Sequence, residues 1–186
     1  MRVPLKLKFF YLLSFLYKNN KTSTFSIDIP MNVRDGEEFP IRNLENFLRE
    51  RNFEKDSLIL KQFPSGYSNL TYFLKSSTKE FVLRRPPYGA KSLKGGHDML
   101  REYNVLRNLK SQFNQVPEVH LYCDKTDVIG APFYIMDRVE GYIIRPNLHQ
   151  EDSPGKEVIE NVSNSLVSTL VAVSYTHLTL PTTMLV

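Results

Sequence analysis

Apolar and polar positions recur with two different periods along this chain, and the changes of period mark its elements. Between residues 32 and 53, NVRDGEEFPIRNLENFLRERNF spaces Ile41, Leu44, Phe47 and Leu48 three or four apart, which predicts an amphipathic helix. The period then shortens. SLILKQF alternates loosely into a PSG turn, LTYFLKSS makes a second strand, SSTK a tight turn, and EFVLRRPP a third strand closed by a proline pair. A glycine- and lysine-rich loop, YGAKSLKGGHD, leads into MLREYNVLRNLKSQF. There Met99, Tyr103, Leu106 and Lys110 align roughly on one side of a second helix, and Asp98 stands near its start, where negative charge suits the dipole. VPEVHLYCD and APFYIMDRVEG predict two more strands around the turn KTDVIG. A polar linker, IIRPNLHQEDSPGK, precedes a last helix that begins in EVIENVSNSLVSTLVAV.

Composition narrows the class. With 186 residues, 41% hydrophobic and 12% aromatic, the chain suits a globular core rather than a disordered segment. The net charge of +4 is already reached within residues 1–30, where Arg2, Lys6, Lys8, Lys18 and Lys21 face Asp28 alone. A basic face spread over a folded domain, the footprint of a nucleic-acid binder, is therefore not predicted. A local excess remains between Arg84 and Lys110, with seven basic and two acidic residues, which suits a compact anion better than a duplex. Tyr88 is the one aromatic that could interleave with that loop. The lone cysteine, Cys123, excludes an internal disulfide and fits a reducing, cytoplasmic setting; it reads as structural rather than nucleophilic.

The two ends stand apart. The N-terminal run FFYLLSFLY follows lysines as in a signal peptide, but no small-residue cleavage site comes after it. It is also far short of the ~20 residues a spanning helix needs. Translation from Met31 would place residues 1–30 upstream of the protein; a short membrane-surface anchor is the next reading and a cleaved signal the last. At the other end, VSYTHLTLPT (residues 173–182) back-translates to a DNA string resembling a transposon-derived sequencing adapter. The natural sequence is thus expected to end near Val171. The expected divisions are residues 1–30 outside the fold, 31–142 a first lobe, 143–172 a linker and the start of a second lobe, and 173–186 an artefactual tail.

The element order, helix, three strands, helix, two strands, linker, helix, matches the small N-terminal lobe of protein-kinase-like folds. QFPSGYSNLTYFL, EFVLRRPP, REYNVLRNL, VPEVHLYCD and IGAPFYIMDRVEG, in that order, resemble the aminoglycoside-phosphotransferase-like kinases. The branch they resemble most is the one fused to acyl-CoA dehydrogenases in animals. The resemblance covers about residues 33–171. It implies an α+β fold: a five-stranded antiparallel sheet with an inserted helix, then the first helix of a second lobe that the chain does not complete.

What that resemblance implies for the site can be set against the chemistry of the residues. Gly66 would let backbone N–H groups approach phosphate oxygens at the first hairpin bend, with Ser68 and Asn69 as side-chain donors. By themselves these three residues suit a plain turn equally well. Alternation puts Val82 and Arg84 on one face of the third strand and Leu83 and Arg85 on the other. Val82 would pack on an adenine, and Arg84 would stand where such kinases place a phosphate-holding lysine. An arginine there keeps its charge and offers a planar fork of donors. Glu102, at the border of the apolar stripe of its helix, would be the ion-pair partner of Arg84. Backbone groups from Met136 through Asp137, Arg138 and Val139 would read the adenine edge, with the side chains of Asp137 and Arg138 facing solvent. Arg85 is expected near the sheet edge, solvated.

The resemblance further implies a His-x-Asp-x4-Asn catalytic loop and magnesium-holding carboxylates, and neither occurs in this sequence. His97-Asp98 lacks the spacing, and His149-Gln150-Glu151 has Lys156 where the asparagine should stand. No catalytic or metal residue is therefore assigned. The expected function is the nucleotide-binding part of a kinase using ATP and Mg on a small-molecule hydroxyl, a hydroxyacyl-CoA-type metabolite rather than an aminoglycoside. As it stands the chain is expected to be inactive, with no nucleic-acid partner and no firm membrane association. The alternative is a non-catalytic nucleotide-binding or interaction module, pseudokinase-like.

Overall fold

The computed structural model describes residues 26–27, 29–64, 69–89, 97–111, 113, 115–140, 142–143 and 155–179. Strand β1 (Ser26–Ile27) pairs antiparallel with β7 (Tyr142–Ile143). The remaining strands, β2 (Ile59–Gln62), β3 (Leu70–Lys75), β4 (Glu80–Arg85), β5 (Val119–Cys123) and β6 (Phe133–Asp137), form one sheet in the order β2-β3-β4-β6-β5. Every neighbouring pair in it is antiparallel. Helix α1 (Ile41–Glu50) precedes this sheet, α2 (Met99–Lys110) is inserted between β4 and β5, and α3 (Lys156–Thr179) follows it. The fold is α+β and has the five-stranded sheet with an inserted helix that the sequence pattern predicts.

The apolar stripe of α1 explains its place. Leu44, Phe47 and Leu48 are buried against Tyr72, Leu74, Phe81, Leu83, Phe133 and Ile135, so α1 covers one face of the sheet. Each such side chain removed from water contributes ~1.5–3 kcal/mol. The helix ends where the chain turns left-handed: Asn52 has φ 52°, a conformation asparagine tolerates. Asn52 N–H then donates to Arg49 O and Phe53 N–H to Leu48 O, both at 3.0 Å, closing the last carbonyls in a Schellman arrangement. The segment before α1 is tied to the sheet edge, since Met31 and Gln62 exchange backbone hydrogen bonds at 2.8 Å.

Helix α2 lies on the opposite face. Asp98 caps it by accepting the Arg101 N–H at 2.9 Å. Its buried residue Met99 joins Val119 and Tyr134, with Tyr103, Leu106, Tyr122 and Met136 packed around them. Cys123 is buried on the α1 side, and burial pushes its thiol above the usual range, consistent with a structural role. On α3, Leu166, Val167, Leu170 and Val171 are exposed. Among the described residues no helix is long and apolar enough to cross a membrane.

Candidate functional site

The site grows from β4. Its alternation sends Phe81, Leu83 and Arg85 toward α1 and Val82 and Arg84 toward the α2 face. Arg84 stands between Thr71 on β3 and Tyr134 on β6 in the sheet register. Because Asp98 fixes the first turn of α2, Glu102 falls one turn further on and reaches back to the sheet. Its Oε2 lies 3.5 Å from Nη2 of Arg84, both side chains being about one third exposed (32% and 31%). The structure thus brings Arg84 and Glu102 together on one face.

The carboxylate is held from two further sides. The Asn69 amide donates from Nδ2 to Oε1 at 2.7 Å, and the Tyr134 hydroxyl donates to Oε2 at 3.0 Å. Asn69 is itself buried, and its Oδ1 meets Nδ1 of His97 at 2.7 Å. Burial pushes the Tyr134 hydroxyl well above its ordinary pKa; Arg84 opposes that shift and Glu102 adds to it. That proton therefore stays in place, and Tyr134 acts as a permanent donor to Glu102. The Nε of Arg84 is buried and has no hydrogen-bond partner among the described residues. The cation is thus held by Glu102 at one end, while its side chain remains about one third exposed.

Gly66 and Ser68 lie outside the described residues. Asn69, expected to offer its side chain to a phosphate, instead has both ends of its amide engaged by Glu102 and His97. Val82 is buried beside Phe73 and Met136, its register partners. At the end of β6, the Asp137 N–H donates to Glu118 O at 2.9 Å and the Arg138 N–H to Glu80 O at 3.5 Å. Two of the backbone donors expected to face an adenine are thus turned into the sheet, while the Val139 side chain is exposed.

Two charged side chains are placed differently from the expectation. Arg138 does not face solvent: its side chain is 15% exposed, stacks 4.8 Å over the Phe73 ring, and pairs with Glu80 and with Glu140 at 3.5 Å. An aromatic face and two carboxylates together offset the loss of water around it. Asp137 is exposed but paired, its Oδ1 2.6 Å from Nε2 of His120. Arg85 is fully buried rather than solvated, with Nη1 donating to Ile129 O at 3.0 Å and Nε to Pro86 O at 3.1 Å. Its guanidinium also lies 4.0 Å over the Tyr88 ring. The sequence reading missed His97 and the Tyr134 hydroxyl. Neither stands in a recognisable spacing, and only the fold makes them neighbours of Glu102.

Residues 59–171, more than half of the chain, match the profile of the phosphotransferase enzyme family (APH). The chain belongs to that family. Among curated proteins, this phosphotransferase-family chain is 37% identical over 137 residues to acyl-CoA dehydrogenase family member 11 of Rattus norvegicus, covering 71% of this chain and 17% of that protein. The Homo sapiens protein of the same name is 38% identical over 104 residues, which is 56% of this chain and 13% of its own. The chain therefore spans less than a fifth of the length of these relatives. A crystal structure described as that of "a putative aminoglycoside phosphotransferase" from Ralstonia eutropha covers 58% of this chain and 30% of its own, at 30% identity and a TM-score of 0.49. The family and the kinship with acyl-CoA dehydrogenase proteins are those the motifs led us to expect.

Within this phosphotransferase-family chain, the Tyr134 hydroxyl offers a direct check on the network. Tyr134→Phe removes one donor to Glu102 and nothing else of size. A loss of about 1 kcal/mol in stability is expected by chemical denaturation. An unchanged midpoint would show that Tyr134 and Glu102 are not hydrogen-bonded in solution.

Proposed function

We propose that this chain is the nucleotide-binding part of an ATP-dependent phosphotransferase acting on a small-molecule hydroxyl. The observation that carries the reading is the Arg84 guanidinium, paired with Glu102 on the α2 face of β4 and still about one third exposed. Family membership supplies the reaction class. The kinship with acyl-CoA dehydrogenase proteins favours a hydroxyacyl thioester or related metabolite as acceptor over an aminoglycoside.

ATP suits the residues present. Arg84 would hold its phosphates, Val82 and Met136 would line the adenine side, and Gly66 and Ser68 would lie at the phosphate bend. The contacts to the adenine edge would fall to the exposed stretch at Val139 rather than to the engaged N–H groups of Asp137 and Arg138. When bound, ATP would supply the transferable phosphoryl group. Magnesium does not suit these residues: no cluster of three or more His, Cys, Asp or Glu side chains gathers among the described residues. Its ligands, and the base for the acceptor, belong in this reading to a second lobe, with residues 31–142 as the first and 143–172 leading out of it.

Titration of the ¹⁵N-labelled chain with magnesium-ATP tests this. Amide signals of Val82, Arg84 and Met136 should move together and saturate, without formation of ADP and phosphorylated product in the presence of hydroxylated acceptors. No response at millimolar ATP would remove the nucleotide reading. ADP formed together with phosphorylated acceptor would show instead that the groups for transfer are already here.

A further inference from the structure

A chain of hydrogen bonds runs from His97, at the start of α2, through Asn69 to Glu102, which is ion-paired with Arg84. The Glu102 carboxylate only accepts, so the Asn69 atom 2.7 Å from it is the amide nitrogen. The amide oxygen then faces Nδ1 of His97 at 2.7 Å, and an amide oxygen only accepts. His97 therefore carries a proton on Nδ1 and donates it. Turning the Asn69 amide over would set its oxygen against the carboxylate, a repulsion that no change of the imidazole tautomer relieves. Asn69 is 3% exposed, so the amide has little water to offset that mismatch. The carboxylate settles the amide, the amide settles which imidazole nitrogen carries the proton facing it, and the other carboxylate oxygen faces Arg84.

The placement of Asn69 and His97 adds weight. Asn69 directly precedes β3, and His97 directly precedes the Asp98 cap of α2. The His97–Asn69 bond joins the exit of the first hairpin to the start of the helix that carries Glu102.

We propose that His97 is a positioning residue for the Arg84 cation, acting through Asn69 and Glu102 and coupling the first hairpin to α2. Its consequence for binding rests on the nucleotide reading above; the coupling itself does not. The test follows two side-chain signals in the ¹⁵N-labelled chain, the Asn69 Nδ2 amide and the Arg84 Nε–H, which is buried and thus slow to exchange. His97→Leu, which lacks the donor, should shift both and weaken magnesium-ATP binding by about fivefold. His97→Asn, whose amide N–H stands near the place of Nδ1–H, should restore both signals and most of the affinity. Should the leucine variant not fold, His97→Gln, whose amide reproduces the far ring nitrogen instead, takes its place.

Arg84 Nε–H unmoved by loss of the donor would overturn the proposal, as would a folded His97→Asn that fails as fully as His97→Leu. If the unaltered chain binds no nucleotide, the proposed function falls while the Arg84 signal still decides the coupling. A shift in that signal on donor loss, reversed in His97→Asn, upholds it.

Discussion

Arg84→Ala should weaken magnesium-ATP binding by about 10- to 100-fold while leaving the fold nearly as stable as before. A charge-assisted hydrogen bond contributes ~1.5–3 kcal/mol, and each 1.4 kcal/mol is a tenfold change in affinity. Stability should hold because the Arg84–Glu102 pair is about one third exposed, and such pairs contribute ~0–1 kcal/mol. Glu102 also keeps the Asn69 and Tyr134 donors when the arginine is gone. Arg84→Lys separates charge from shape. It retains the cation but not the planar fork, so an intermediate affinity is expected. Calorimetric titration beside thermal unfolding measures both quantities on the same samples. Undiminished binding by Arg84→Ala would remove Arg84 from the site. Equal losses in binding and melting temperature would mean that it holds the fold instead.

The elements were legible because their periods are strong. The Ile41-Leu44-Phe47-Leu48 stripe permits only a helix with one buried side, and the alternation of EFVLRR places its residues on two faces. Proximity of Glu102 to Arg84 was legible for the same reason, since helical spacing and strand alternation each point a side chain toward the other. Depth was not legible. Arg85 stands at a strand end beside two prolines, a position that reads as an edge. It is buried because Ile129, 44 residues later, folds over it. Arg138 misleads similarly: a charged residue after a strand is solvated by default, and only the sheet register brings Phe73 and Glu80 to it. Asn69 read as a turn former able to donate to a ligand, because nothing local shows that His97 and Glu102 engage it from both sides. Hydrogen bonds between residues 28 to 33 apart follow from the assembled sheet and leave no trace in neighbouring residues.

Arg85→Ala should behave in the opposite way to Arg84→Ala, losing stability and not affinity. The side chain is fully buried on the α1 face, so its removal opens a cavity and strands two accepting carbonyls, at Ile129 and Pro86. Loss of a long buried side chain typically costs ~2–5 kcal/mol. Part of that is offset, because the cation is itself costly where it stands: no carboxylate pairs with it and Nη2 is unpartnered among the described residues. A net loss of about 3 kcal/mol remains, a fall of ~12 °C at roughly 4 °C per kcal/mol in a domain of this size. Arg85→Met restores volume without charge and should recover more than half of that fall, since it refills the cavity and removes the buried cation. Arg85→Lys keeps the charge but cannot reach both carbonyls and stack on Tyr88, so it should melt no higher than the methionine variant. A lysine variant as stable as the unaltered chain would mean that charge, not shape, holds this corner. ATP affinity, measured well below each melting temperature, should be unchanged in all three, because Arg85 and Arg84 leave β4 on opposite faces of the sheet.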